Sequence, residues 1–198
     1  ETNLIQFSLP ELLPVKVHRF MNLDSIHFGH CLLEDEKYLF IYGLKNTKPY
    51  VARADIKDVY KPWEFFNGAS WTDNANDARP VLNFKGSEQF SVFKWNETYV
   101  MVMQAGGLSP EIYSFTAITP YGPWGNQKLL YTATLPHGCD QCFTYNALAH
   151  PQFMEDNMLL ISYNTNTHLL ADHYRDALIY RPRFIRVPME LIIAKNSK

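Results

Sequence analysis

The sequence lacks a long apolar run and any excess of charge of one sign. Its 198 residues contain no run of about 18 apolar residues, so no membrane-spanning helix is predicted. Charged residues make up only 19% and the formal net charge is −2, which argues against a disordered tail and against nucleic-acid binding, since the latter needs a clustered basic excess. No signal peptide is visible, and an opening at Glu1 without Met is typical of a mature form or a fragment.

Cysteine is also scarce. The three cysteines, Cys31, Cys139 and Cys142, are an odd number and exclude a disulfide scaffold. Cys139 and Cys142 form a Cys-x-x-Cys pair without the βαβ context of a redox motif and without the second pair of a zinc ribbon. We therefore expect either a loop disulfide or two free thiols there.

What the sequence does contain favours strands. Hydrophobic residues reach 46% and aromatic residues 15%, with 12 Tyr, 13 Phe and 12 Pro. Aromatic residues suit pleated sheets and Pro suits turns. The composition therefore predicts an all-β domain with a sizeable core.

An internal repeat organises these strands. Short apolar runs at 38–43, 99–104 and 158–163 each follow a polar turn, and their starts lie about 60 residues apart. Each run is flanked by an upstream strand (27–33, 90–95, 147–154), a downstream strand (50–53, 111–114, 183–186) and a fourth element (63–66, 128–131, 189–193). Four antiparallel strands in meander order are typical of a propeller blade, and a single β-sandwich is the alternative.

The repeat predicts three four-stranded blades within a single domain of residues 1–198. Their approximate bounds are 20–75, 85–135 and 143–195, and residues 1–19 are expected to supply the outer strand of a preceding blade. Propellers have about four to eight blades, and an open set would expose sheet edges. We therefore expect missing blades or a partner chain to close the ring.

The repeat units resemble a known group of proteins. Residues 28–43, 50–53 and 62–68 resemble one blade of the five-bladed propellers related to family-43 glycoside hydrolases. Residues 161–166 and 181–187 resemble the last blade of bacterial propellers of the domain-of-unknown-function 4185 and 5005 type. The resemblance covers nearly the whole chain. It implies a secreted or periplasmic bacterial protein that acts on glycans without a cofactor, and it is compatible with an axial calcium ion.

Glu88 is the candidate catalytic residue. The segment 88–94 resembles the one that carries the general acid in family-43 enzymes, although Gln89-Phe90 stands where that family has Gly-Pro. Glycoside hydrolysis needs two carboxylates, and the resemblance places the family's base on a blade absent here, which leaves Asp24 and Asp140 as nominees. The sequence thus predicts a glycoside hydrolase-like protein acting at the axial pocket. The alternative is a non-catalytic propeller that binds glycan or protein.

Spacing selects the candidate ligand-binding residues. His27 and Glu88 each lie 11 positions before the aromatic residue that opens the next strand, and His30, Ser91 and His150 lie eight positions before it or its counterpart. Matching places on successive inner strands converge at the mouth of a propeller. No close-spaced motif supports a metal site, and such histidines can also be structural. The predicted substrate-binding residues are His27, His30, Trp71, Asn146, His150 and Arg181.

Other repeated residues are expected to be structural. Trp63 and Trp124 follow Pro at matching positions and should pack within blades, whereas Trp71 lies outside the repeat and is the better ligand candidate. Arg53 and Arg186 occupy matching strand positions and should pair with a carboxylate or carbonyl of a neighbouring blade. The stretch 164–180 is expected to be an insertion that forms a rim loop or lid.

Overall fold

The computed structural model describes residues 2–20 and 22–193. The chain divides into two compact units, Glu1–Asn83 and Phe84–Lys198. Both are built almost entirely from antiparallel strands, as the composition predicts. Within the described residues no helix is long and apolar enough to cross a membrane.

The first unit contains a hairpin and a five-stranded sheet. The hairpin pairs β1 (Thr2–Phe7) with β2 (Pro14–Phe20). The sheet runs in chain order through β3 (His27–Asp35), β4 (Tyr38–Lys45), β5 (Lys48–Asp55), β6 (Glu64–Phe66) and β7 (Trp71–Thr72). Its core includes Ile41, Ala52, Trp63 and Phe65, so Trp63 packs inside the unit as the sequence predicts.

The second unit contains two sheets. The four-stranded sheet consists of β8 (Gly86–Trp95), β9 (Thr98–Ala105), β10 (Glu111–Ala117) and β11 (Gly125–Thr132). The other consists of β12 (Cys142–Glu155), β13 (Met158–Thr167) and β14 (Pro182–Pro188). A single apolar core that includes Val100, Val102, Leu159 and Ile161 joins them.

Two of the tight hairpin turns consist of two residues with positive φ, and the sequence predicts the second of them from its polar residues. Asn46 and Thr47 join β4 to β5 with φ of 52° and 62°, and Asp156 and Asn157 join β12 to β13 with φ of 50° and 60°. Two consecutive left-handed residues match the twist of the flanking strands in a two-residue hairpin. These turns fix the register that buries alternate side chains along β13.

Two expectations about secondary structure are wrong. The segment 189–193 is not a strand: Met189–Ile192 forms helix α2, whose residues Met189 and Ile192 enter the core after Pro188, so the third sheet has three strands within the described residues. Trp71 lies on β7, a fifth strand that pairs with β6 and has no counterpart in the other two sheets that the structure describes, so it lies outside the four-stranded repeat. Residues 164–167 continue β13, so the insertion begins only at residue 168 and contains helix α1 (Leu170–Arg175).

Candidate functional site

The first strand of each of the three sheets carries a β-bulge near its start. The bulges lie between Phe28 and Cys31, between Gly86 and Phe90, and between Tyr145 and Leu148. A bulge adds an unpaired residue that re-aims side chains, and bulges are frequent next to active sites. The predicted residues His30, Glu88 and Asn146 each lie inside one of them.

A polar cavity of about 360 Å³ opens beside the bulge of β12. It brings together two predicted residues, Asn146 and Arg181, which are 35 positions apart in the sequence. Its lining residues are Tyr145, Asn146, Asn164, Thr165, Tyr180, Arg181 and Pro182. We call it the β12 cavity. Its lining thus contains two phenols, two amides and a guanidinium, all of which can form hydrogen bonds.

Tyr180 also lines a second cavity of about 510 Å³, together with Asn166, His173 and Ala177. Tyr145 shares a hydrogen bond with Tyr180, and burial together with this bond raises the pKa of Tyr145 above its ordinary value of 10.0, although a hydrogen bond with Asn166 opposes the shift. Tyr145 is therefore a neutral hydrogen-bonding group at physiological pH.

Asn146 is held in a left-handed conformation, with φ of 58°. The buried side chain of Gln104 on β9 fixes the backbone on both sides of it. Gln104 Nε2 donates to the Thr144 carbonyl (2.9 Å), and Gln104 Oε1 accepts from the Ala147 amide (3.3 Å). The Ala147 amide lies in the bulge, outside the β12–β13 register, and the bond to Gln104 gives it a partner, so Gln104 positions Asn146.

The insertion that carries Tyr180 is anchored to β13 and to the cysteine loop. Cys139 and Cys142 form a disulfide, which resolves the alternatives left by the sequence. The His168 amide donates to the Gln141 carbonyl (3.2 Å), and Thr165 Oγ1 donates to the Ile179 carbonyl (2.6 Å). The insertion that contributes Tyr180 to the cavity is therefore bonded to β13, which contributes Asn164 and Thr165.

Glu88 is exposed within the bulge of β8, and no described residue pairs with its carboxylate. It does not line either of the cavities around Tyr180. Ser91 Oγ accepts from the Ala149 amide (2.9 Å), which sets β8 beside β12. Glu88 and Asn146 each lie three residues before this pair, so they hold corresponding places on neighbouring first strands.

His150 lies on β12 and forms a hydrogen bond with a neighbouring residue of β13. Its Nε2 lies 2.7 Å from Ser162 Oγ. This bond satisfies the imidazole within the fold, in line with the structural alternative for His150. Asp140, nominated as a second carboxylate, is exposed in the cysteine loop.

In the first unit, His27 and Asp24 line one cavity of about 610 Å³. Lys45 Nζ holds Asp24 Oδ2 at 2.5 Å. Asp24 and its neighbours Asn22 and Ser25 have φ of 48°, 61° and 58°, and such strain is common near functional sites. The Asp24 carboxylate is therefore held by Lys45 at the wall of this cavity.

Trp71 packs against other side chains of the first sheet. The Arg53 guanidinium lies 4.2 Å from the ring centroids of both Trp71 and Tyr38, and its Nε donates to Glu64 (2.8 Å). Arg186 similarly bonds Glu155 (3.1 Å). The expected partner on a neighbouring blade is wrong, because each arginine bonds a carboxylate of its own sheet. A sugar-stacking role for Trp71 stays a prediction.

Another tyrosine pair lies between β11 and β13. Tyr163 is 4% exposed, and burial together with its hydrogen bond to Tyr131 raises the pKa of Tyr163 to about 12, while nearby Arg183 opposes the shift. Hydrogen bonds from Thr134 and Tyr163 lower the pKa of Tyr131. No group of three or more His, Cys, Asp or Glu with metal-binding geometry occurs in the described part of the chain.

Sequence reasoning missed Tyr145, Asn164 and Tyr180. A signal for Asn164 was present, because Asn164 and Asn166 alternate with buried Thr residues in a strand whose other half is apolar. No local sequence signal pointed to Tyr180. It lies beside Asn146 only because the insertion ends there, just before β14.

Solved structures share this fold. A protein from Bacteroides ovatus ATCC 8483 described as a "putative hydrolase" superposes with a TM-score of 0.75 at 26% identity, covering 93% of this chain and 52% of that one. A thermostable family-43 glycoside hydrolase has a TM-score of 0.51 at 16% identity, with coverages of 87% and 52%. The endo-arabinase from Bacteroides thetaiotaomicron VPI-5482 has a TM-score of 0.51 at 14% identity, with coverages of 86% and 54%.

These similarities confirm the predicted fold class, an all-β propeller. The chain spans about half the length of the solved structures it matches. No curated protein matches its sequence. A family model described as "Domain of unknown function (DUF5005)" matches residues 1–190. The chain belongs to the DUF5005 family.

Proposed function

We propose that this protein is a glycoside hydrolase-like propeller that binds glycans in the β12 cavity. The observation that carries the proposal is the convergence of Asn146 and Arg181 with Tyr145 and Tyr180 around one cavity of about 360 Å³. Support also comes from the 26% identical protein of B. ovatus, which is described as a "putative hydrolase".

The chemistry of the cavity suits a sugar. Amide groups donate and accept at once, which matches the hydroxyl groups of a sugar ring. Phenol rings offer flat apolar faces to ring C–H groups and a polar tip to hydroxyls. A concave site with a few fixed polar groups is the usual form of a small-molecule site. Gln104 keeps Asn146 in place before any ligand arrives, which lowers the entropic cost of binding.

Hydrolysis is the second candidate function, with Glu88 as general acid. The specific observation is that Glu88 is an exposed carboxylate in the bulge of β8, at the place that corresponds to Asn146 on β12. A second carboxylate is required, and no Asp or Glu lines the β12 cavity. The geometry of the described residues therefore supports glycan binding more strongly than it supports glycan cleavage.

Asn146→Gly tests the binding proposal. Glycine accepts the φ of 58° without strain, so this change removes the amide and keeps the backbone. We expect binding on a glycan array to fall by about tenfold. The ligand loses its hydrogen bond to the Asn146 amide, and the polar group that made this bond is left buried without a partner. The matched control is Asn157→Gly, an exposed asparagine with φ of 60° in a hairpin turn. Equal binding by both variants and the unaltered protein would contradict the proposal.

Product analysis on the same glycans tests cleavage. If Glu88 is the general acid, Glu88→Gln abolishes product formation and leaves binding intact, whereas Glu97→Gln in the neighbouring exposed turn leaves both intact. Binding without product by the unaltered protein supports the non-catalytic alternative. Product formation that survives Glu88→Gln removes Glu88 from the mechanism.

A further inference from the structure

The β12 cavity carries a positive charge that no lining residue balances. Arg181 lies on its wall, and the rest of the lining is neutral, with two phenols, two amides, a threonine and a proline. The adjoining cavity, which shares Tyr180, adds His173 and Asn166 and again contains no carboxylate among its lining residues. A ligand that enters this region therefore meets an electropositive wall.

Arg181 differs from most other arginines in having no bonding partner among residues 2–20 and 22–193. Arg53, Arg175 and Arg186 each approach a carboxylate, at 2.8, 3.9 and 3.1 Å. Arg79 and Arg183 donate to backbone carbonyls. No such contact engages the Arg181 guanidinium, which is exposed at the cavity. Its hydrogen-bond donors are therefore available to a ligand.

The remaining lining residues show what kind of anion fits. A guanidinium is a planar fork that binds a carboxylate through two parallel hydrogen bonds, and such charge-assisted bonds are about twice as strong as neutral ones. Asn146 and Asn164 supply amides for hydroxyl groups, and Tyr145 is a neutral phenol. The set therefore matches a molecule with one carboxylate and several hydroxyls.

We propose that the β12 cavity selects a carboxylated sugar, namely a uronic-acid residue of an acidic glycan, through Arg181. This inference rests on the proposed function and names the substrate class of the same site. Arg181 bonds the carboxylate, the two asparagines bond ring hydroxyls, and Tyr180 covers the ring from the insertion.

The test compares matched ligands by calorimetric titration of the full chain. The ligands are hexuronic-acid oligosaccharides and the same oligosaccharides with each carboxyl group reduced to a neutral alcohol. We expect at least about tenfold tighter binding of the acidic member of a pair, because it gains charge-assisted hydrogen bonds. The difference should shrink as salt is raised, since Arg181 is exposed.

Variants assign the effect to Arg181. Arg181→Gln should remove the preference for the acidic ligand, with a loss of at least about tenfold in the acidic affinity and a much smaller loss in the neutral affinity. Arg186→Gln, an exposed arginine on the same sheet but outside the cavity lining, is the control and should change neither affinity. Equal affinities in the unaltered protein, or equal losses for both ligands in Arg181→Gln, would overturn the uronic-acid proposal and leave glycan binding standing. Binding of neither ligand, nor of any glycan on the array, would overturn both.

Discussion

Gln104 and Thr144 are joined by two hydrogen bonds in the interior of the second unit. Gln104 Nε2 donates to the Thr144 carbonyl at 2.9 Å and to Thr144 Oγ1 at 3.0 Å. The other end of the same amide accepts from Ala147. The buried side chain of Gln104 thus bonds the backbone on both sides of Asn146. The geometry of the β12 cavity therefore depends on β9, a strand of the neighbouring sheet.

Replacement of Gln104 should therefore affect both stability and binding. Gln104→Met keeps the length of the side chain but leaves the Thr144 carbonyl and the Ala147 amide without a partner. We expect the free energy of unfolding to fall by about 2–4 kcal/mol, because each buried unsatisfied group costs about 1–3 kcal/mol. Denaturant unfolding measures the loss, and titration under native conditions should show weaker glycan binding.

The control for this change is Gln152→Met, since Gln152 is an exposed residue of β12. It should leave stability within about 0.5 kcal/mol of the unaltered protein. A folded Gln104→Met protein with full glycan affinity would show that Gln104 does not position Asn146.

Gly43 stands opposite the bulge of β3 and leaves no room for a side chain. A Cβ there would lie 2.7 Å from the His27 carbonyl oxygen and 2.9 Å from the Phe28 Cα. We expect Gly43→Ala to destabilise the protein by about 1–3 kcal/mol, because backbone atoms must shift. Thermal unfolding of Gly125→Ala provides the comparison, since nothing lies within 4 Å of a Cβ at that position. Similar melting temperatures for the two variants would argue against the close approach.

The Arg53 guanidinium lies against the two rings of Tyr38 and Trp71. Arg53→Met removes both cation–π contacts and the bond to Glu64, and we expect a loss of about 1–3 kcal/mol in unfolding experiments. Arg186→Met breaks only an exposed pair with Glu155 and should cost less than about 1 kcal/mol. Equal costs would mean that the rings contribute nothing to the Arg53 site.

Tyr163 should make stability depend on pH in alkaline solution. Its folded-state pKa is raised to about 12 by burial and by the bond to Tyr131, whereas the unfolded value is about 10. The folded state therefore retains the proton over this interval. Its contribution to stability is complete below pH 10 and declines as the pH rises towards 12. Urea unfolding across this range should show a shallower decline for Tyr163→Phe.

Tyr174→Phe is the control for the alkaline experiment, because it removes an 84% exposed phenol without touching the Tyr131–Tyr163 contact. It should keep the decline seen in the unaltered protein. The assignment to Tyr163 fails if Tyr163→Phe and Tyr174→Phe behave alike.

Much of the fold follows from local sequence patterns. Apolar runs such as Tyr99–Gln104 and polar pairs such as Asp156–Asn157 act over a few residues, so strands and hairpin turns are predictable. The strand predicted at 189–193 was wrong because a short segment with mostly apolar residues suits a strand or a helix turn equally. In the structure the Met189 amide donates to the Asn157 carbonyl, and the Ile193 amide then donates to the Met189 carbonyl, which closes a helical turn.

The site was predictable only in part. Asn146 and Arg181 were selected from position and residue type, but their shared cavity depends on the course of residues 168–181, which no periodicity reports. Gln104 ends an apolar run, yet its partners on β12 are 40 and 43 residues away. Export, a partner that closes the ring, and an axial calcium ion stay predictions from the family resemblance.

The most direct measurement is an experimental structure of the protein with a glycan that binds on the array. We expect one sugar ring in the β12 cavity, in contact with Tyr145 and Tyr180 and within hydrogen-bonding distance of Asn146 and Arg181. A glycan bound elsewhere, for example beside Asp24 and His27, with the β12 cavity empty, would contradict the proposed site.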